Sequence, residues 1–423
     1  MKIKILVSAL LLMIISTLNI NSQIVTWVEQ TSGLTTQLTS VSAVNPNHAW
    51  ACGYAGRVLR TTNGGTNWVS VNSSPIPGTL DLHTIFGIDS MTALVGGSGA
   101  SSFLFRTTNG GATWTQVFTE TGGFINSVQF GNSTAGFMMG DPIGGRWSLW
   151  GTTNQGDTWD SSSFYLPQAG TEAGWNNAFF FDVTAGVWFG TNNTRVYKSL
   201  TLVNWTTQVT TGQLNSYAIW FNNPLIGMTG GTALLITSNA GTTWQSTVTA
   251  LPGTGNISGI TGASNLWLVT RQATAIYSTT NLGLTWTTSY TATAGSYRHI
   301  TKDREQSLVY FAVRNNGGIS KGQIAVGIEP ISSVVPQNYK LHQNYPNPFN
   351  PVTNLRFSLP VEGYTTLSVF DVAGRIIDEP VKQNLKPGEY DINYDASKLT
   401  SGAYFYSLRV NDFMQTRKMI LVK

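Results

Sequence analysis

Hydrophobic and polar positions alternate along this 423-residue chain in short runs, and long amphipathic helices are not expected. Ser40–Val44, His48–Gly53, Arg57–Thr61 and Trp68–Val71 show the grammar: an alternating strand, a second ending in glycine, a third entering a Thr-Asn-Gly turn, and a fourth beginning at tryptophan. The N-terminal pattern differs. An apolar core from Ile5 to Ile15, preceded by Lys2 and Lys4, is too short to span a bilayer and predicts a signal peptide of residues 1–22, cleaved after Ser22. No later stretch reaches membrane-spanning length, so no transmembrane segment is expected in the mature chain. From Glu329 to Gln337 a Pro- and Ser-containing linker breaks the pattern. Six strands are predicted beyond it, at Asn354–Leu359, Thr366–Val372, Arg375–Asp378, Gly388–Tyr394, Ala403–Val410 and Thr416–Val422, enough for a small Ig-like β-sandwich over 338–423.

The strand grammar repeats. Thr61-Thr62-Asn63-Gly64-Gly65-Thr66-Asn67-Trp68 returns as Thr107–Trp114, Thr152–Trp159, Thr237–Trp244 and Thr279–Trp286, with a worn copy ending at Trp205. The tryptophans at 68, 114, 159, 205, 244 and 286 are spaced by 46, 45, 46, 39 and 42 residues, the length of a four-stranded propeller blade. After the sixth box come strands at His299–Thr301, Leu308–Val313 and Ile319–Ile324, where Arg314–Gly318 forms a turn without its tryptophan. Thr26–Gln30 at the other end is a fourth strand with Trp27 and no box before it. Each end lacks what the other has, so the N-terminal strand is expected to close a seven-bladed, all-β propeller over 23–328, joined by linker 329–337 to the second domain. Asn63, Asn109, Asn154, Asn239, Asn281 and Asn316 are read as structural turn residues, each bonding its own backbone two residues on, and each Trp as filling the gap between neighbouring blades.

Composition narrows the chemistry. Only 10% of residues are Asp, Glu, Lys or Arg, and the formal charge of +4 falls to about +2 once Lys2 and Lys4 leave. No basic run interleaves with aromatics, so no nucleic-acid partner is expected. Cys52 is the sole cysteine and His48, His83, His299 and His342 are scattered, so neither a disulfide nor a metal site is expected, and no cofactor is implied.

The stretch Gly53–Trp68 resembles the repeat of photosystem II assembly factor-like propellers and, more loosely, the Asp-box (BNR-type) repeats of sialidases, sortilin-type receptors and xyloglucanases. That resemblance implies the fold and leaves the function open. In the second domain, Tyr345-Pro346-Asn347-Pro348-Phe349-Asn350-Pro351 after Asn344, then Val369–Arg375, Leu399–Tyr406 and Lys418–Lys423, resemble type IX secretion C-terminal sorting domains in order and spacing. This resemblance implies a Gram-negative protein that passes through the periplasm to the medium or outer cell surface by contact with the type IX machinery, with the domain removed afterwards.

Charge is thin for catalysis: Gln23–Glu329 holds 12 Lys/Arg and 12 Asp/Glu, and the sialidase arginine pattern is missing from the first blade. A glycosidase needs two carboxylates across a cleft, for which Asp141 and Glu172 are the candidates. The expected function is therefore a non-catalytic extracellular binding or assembly module, for a protein or glycan ligand; the alternative is a secreted glycan-active hydrolase. The boxes gather on one rim and are nearly identical, so an asymmetric site is expected on the other. Two insertions, Gly140–Trp150 and Ser161–Asn177, are expected to enlarge that face, with Arg146, Trp147, Tyr165, Glu172 and Trp175 as ligand-binding candidates.

Overall fold

Each complete box closes on its own side chains. In the second, the Gly111 N–H donates to Thr107 Oγ1 (3.0 Å), while the Thr113 N–H (2.9 Å) and the Thr107 hydroxyl (3.0 Å) both donate to Asn109 Oδ1. The boxes opened by Thr61, Thr152, Thr237 and Thr279 repeat this arrangement. Asparagine thus bonds backbone four residues on, not two. The reason is that Gly110 and Gly111, at φ +74° and +87°, wind the turn left-handed and carry the later N–H over the asparagine. The Arg314–Gly318 turn has no threonine hydroxyl, and Asn316 Oδ1 accepts from the Gly318 N–H (3.2 Å).

The computed structural model describes residues 25–182, 186–305, 308–324, 335–397 and 399–423; the expected signal peptide and residues 329–334 of the expected linker lie outside them. The chain divides into two compact units, residues 1–325 and 326–423. The first is a ring of seven antiparallel sheets, or blades. Blade 1 comprises Leu38–Ala43, Ala49–Gly53, Arg57–Thr61 and Val69–Ser70, the first strand innermost. Tryptophans link successive blades: Trp68 Nε1 donates to Gln30 Oε1 (2.8 Å), Trp114 Nε1 to the Val71 carbonyl (2.8 Å) and Trp286 Nε1 to the Thr249 carbonyl (3.1 Å).

Inner strands present free edges to the central channel, and in blades 1 to 3 neighbouring side chains cap them. Ser40 Oγ and Ser42 Oγ accept from the Ile85 and Gly87 N–H groups (3.4 and 3.2 Å), Thr84 Oγ1 from Val128 (3.4 Å), and His299 Nδ1 from Val41 (3.1 Å). Burial pushes the His299 pKa down to about 4, in keeping with a neutral ring that accepts.

The seventh blade is built as expected from both ends of the propeller sequence. Val25–Gln30 pairs antiparallel with Ile319–Ile324, from Val25 opposite Ile324 to Gln30 opposite Ile319, outside Val309–Arg314 and Tyr297–Lys302. Trp27 stacks on Tyr290 of blade 6 (centroids 5.9 Å) and donates to Ser289 Oγ (2.9 Å). Glu29 accepts from Arg314, and its Oε1 from Ser320 (2.8 Å) and Tyr290 (2.8 Å).

Blade 3 departs from the four-strand pattern. It has three strands, Ile125–Phe130, Gly136–Ile143 and Arg146–Thr152, and two isolated bridges, Gly151 to Asp160 and Arg146 to Pro167, stand for the fourth. Residues 161–168 then run along its outer edge, with the Trp147 N–H donating to the Leu166 carbonyl (2.9 Å) and Phe164 packed on Phe137.

The second unit is β-sandwich-like. Lys340–Leu341, Val352–Leu359 and Gly388–Asp395 form one sheet; Ile376–Leu385, Gly363–Phe370, Gly402–Val410 and Phe413–Leu421 form the other. Leu355, Phe357, Leu367, Tyr406 and Met419 belong to their shared core. The expected Arg375–Asp378 strand continues to Leu385 despite Pro380, which is tolerated because this strand lies at a sheet edge and its register shifts there.

Candidate functional site

The innermost strands carry the feature that builds a site. Near its start, the first strand of six blades slips register by a bulge, between Leu38 and Ser40, Leu82 and Thr84, Ile125 and Ser127, Gly174 and Phe179, Ile257 and Gly259, and Tyr297 and His299. A bulge re-aims the extra side chain. The re-aimed residues Thr39, His83, Asn126, Trp175–Asn177, Ser258 and Arg298, with Tyr217 from blade 5, line one cavity of about 430 Å³ at the channel end opposite the boxes.

Blade 4 bulges furthest. Asn177, at φ +61°, crosses the channel to blade 1, where Ser40 donates to its Oδ1 (2.9 Å) and its Nδ2 donates to the Thr39 carbonyl (3.1 Å). Asn176 Nδ2 lies 3.3 Å from His83 Nδ1. Burial lowers the His83 pKa, favouring the neutral ring, which packs on Phe124 (centroids 4.4 Å). Trp175 packs on Tyr217 at 4.5 Å. Asp141 Oδ1 accepts from the Gly174 N–H and from Asn126 Nδ2, both at 2.7 Å; burial nevertheless raises its pKa. Arg298 has no hydrogen bond or ion pair among the described residues, and its buried Nε and that of Trp175 both lack an acceptor.

Asn177 also lines a second cavity of about 680 Å³ at the box end, walled by Phe86, Phe130, Phe180, Trp220 and Phe221. The expectation of a uniform rim left out the first-to-second strand turns, which share this end with the boxes and differ between blades. Its Arg304 lies over Phe86 (4.4 Å) and donates to the Gly87 carbonyl and Ser42 Oγ (3.3 Å), so that cation is committed to the fold.

In the second unit, Asn344 is buried and donates to the Pro346 carbonyl (2.9 Å) and Thr353 Oγ1 (3.0 Å). Asn347 Oδ1 accepts from the Ile420 N–H (2.9 Å), and buried Phe349 exchanges backbone bonds with Ile420 and Val422 (2.9 Å each), tying the Tyr345–Pro351 segment to the last strand. Tyr345 is 79% exposed. Residues 343–423 match the family model described as a secretion system C-terminal sorting domain, and residues 22–140 match that of photosynthesis system II assembly factor YCF48. The chain joins a YCF48/BNR-type propeller to a type IX secretion sorting domain.

The YCF48-type propeller is similar in fold to a solved YCF48 bound to D1 peptide (TM-score 0.56, 13% identity, covering 70% of this chain and 96% of that one). It is equally similar to YCF48 from Cyanidioschyzon merolae (TM-score 0.56, 16% identity, 70% and 98%). No curated protein sequence matches the chain. Of the five residues singled out in the insertions, Trp175 lines the cavity of the YCF48-type propeller. Trp147 is buried against Phe189 (4.7 Å) and Tyr197. Glu172 is buried too, 2.7 Å from Arg195 Nε and accepting from the Tyr197 hydroxyl (2.7 Å). These two serve the packing between blades 3 and 4, because the second insertion mainly replaces a missing outer strand and reaches the channel only at its end. Arg146 and Tyr165 are exposed and do not line the cavity. Sequence reading missed Thr39, His83, Asn126, Tyr217, Ser258 and Arg298. All but Tyr217 sit at a bulge, which shows only once the neighbouring strand fixes the register.

Proposed function

We propose that this protein is a type IX-exported, non-catalytic binding module whose ligand enters the cavity ringed by the bulged residues. The observation that carries the reading is that bulges in six blades turn differing side chains into a single recess, giving an asymmetric lining on a rigid, repetitive scaffold. Asp141 is the sole carboxylate among the described lining residues, and Glu172 is held by Arg195, which supports binding over the paired-carboxylate chemistry of a hydrolase. A YCF48 solved with a D1 peptide supports a binding role for the same fold. The test is to present the mature chain with panels of oligosaccharides and unstructured peptides, following tryptophan fluorescence and analysing products. Binding should be lost in Trp175→Ala and kept in Asn63→Ala, with every probe recovered intact. Cleaved probe, or binding indifferent to Trp175, would overturn the proposal.

A further inference from the structure

In the cavity opposite the boxes, the upper cavity, the two charged side chains Asp141 and Arg298 are not equivalent. Asp141 is held by two N–H donors and burial shifts it toward its neutral form, whereas Arg298 has no partner among the described residues. A guanidinium left unpaired in a partly closed recess favours an anionic acceptor, best a planar carboxylate that can take two parallel bonds. The remaining wall alternates aromatic faces, Trp175 on Tyr217 and Phe124 beside His83, with the neutral polar groups Asn126, Ser258 and Gln272. Aromatic faces suit the C–H side of a sugar ring, and amides and hydroxyls can both donate to and accept from its hydroxyls. An extended peptide, by contrast, gains affinity by pairing with a free strand edge. In blades 1 to 3 the channel edges are already capped by Ser40, Ser42, Thr84 and His299, which leaves less free edge for a peptide to pair with.

From this, resting on the reading of the cavity as the ligand site, we infer that the upper cavity binds an acidic glycan, with a uronic acid carboxylate on Arg298 and its ring against the Trp175–Tyr217 pair. A volume of about 430 Å³ accommodates one or two sugar residues.

The experiment is calorimetry on the full mature chain with digalacturonic acid, neutral digalactose and an unstructured peptide ending in a free carboxylate. The acidic disaccharide should bind at least about tenfold tighter than the neutral one, a preference that shrinks with added salt. Arg298→Gln should bring the two sugars within about twofold of each other, Arg298→Lys should restore part of the preference, and Trp175→Ala should weaken both alike. Unchanged melting temperatures guard against a folding defect. Equal binding of the two sugars, or a preference surviving Arg298→Gln, overturns the acidic-glycan inference and leaves the cavity as a binding site. Peptide binding with no sugar binding at about 10 mM overturns the glycan class. Sugar binding untouched by Trp175→Ala overturns the cavity reading itself.

Discussion

Thr107 shows how much one hydroxyl does in this fold. It accepts from the buried Gly111 N–H and donates to Asn109, so Thr107→Val keeps the shape and strands a backbone donor. The expected cost is about 1–3 kcal/mol in chemical denaturation, against roughly 1 kcal/mol for Asn109→Ala, whose partners are more exposed. Ligand binding should survive both. Sequence alone marked Asn109 as a turn residue but gave the Thr107 hydroxyl no role, because its bond to an N–H four residues on exists only after the left-handed glycine pair has formed. Cys52, the sole cysteine, is fully buried; burial pushes its thiol up to about 12, and it accordingly lacks thiolate character.

Among the elements, Val25–Gln30 bears the most on integrity, since it alone converts an open array into a ring. Burial by itself would raise the Glu29 carboxyl, but hydrogen bonds from Arg314, Ser320 and Tyr290 outweigh it and hold the pKa below the ordinary 4.5. The stabilisation from that lowered pKa is complete above the ordinary value and is lost as pH falls through the native one. Melting temperature measured from pH 7 down to pH 3 should therefore drop more steeply for the wild type than for Glu29→Gln, which begins lower and changes less. Trp27→Ala, which removes a half-buried ring rather than a fully buried one, should cost about 2 kcal/mol at any of these pH values. This strand was readable from the mismatch between the chain ends. The inner-strand bulges were not, because an irregularity within a strand of six to nine residues looks like ordinary variation until the neighbouring strand fixes the register. Ile376–Leu385 was shortened in the sequence reading for a related reason: Pro380 reads as a stop unless the strand is known to lie at an edge.

At the scale of the molecule, the repeat period made the propeller legible, and the Tyr345–Pro351 segment did the same for the sorting domain. The cavity was hidden because its lining is drawn from Thr39 to Arg298, and no local window contains two blades. In the proposed function the two units divide the labour of export and recognition. A chain ending at Val335 should accumulate in the periplasm of a type IX-competent host, as read by fractionation and immunoblot, while its purified propeller melts as the full chain's does. Appearance in the medium at the full-length level would contradict that assignment.

The pairing of Val25 with Ile324 places both ends of the propeller sequence at one seam of an annulus. An annulus has no privileged beginning; the seam is where the propeller's part of the sequence begins and ends, and the blades are indifferent to it. A permuted gene with a short bridge across the seam and new ends at exposed Gly212, between blades 4 and 5, would encode the same ring. A sorting domain fused to the new C-terminus would then follow blade 4 instead of blade 7, so that the address for export could be moved around the rim with the ring itself unaltered.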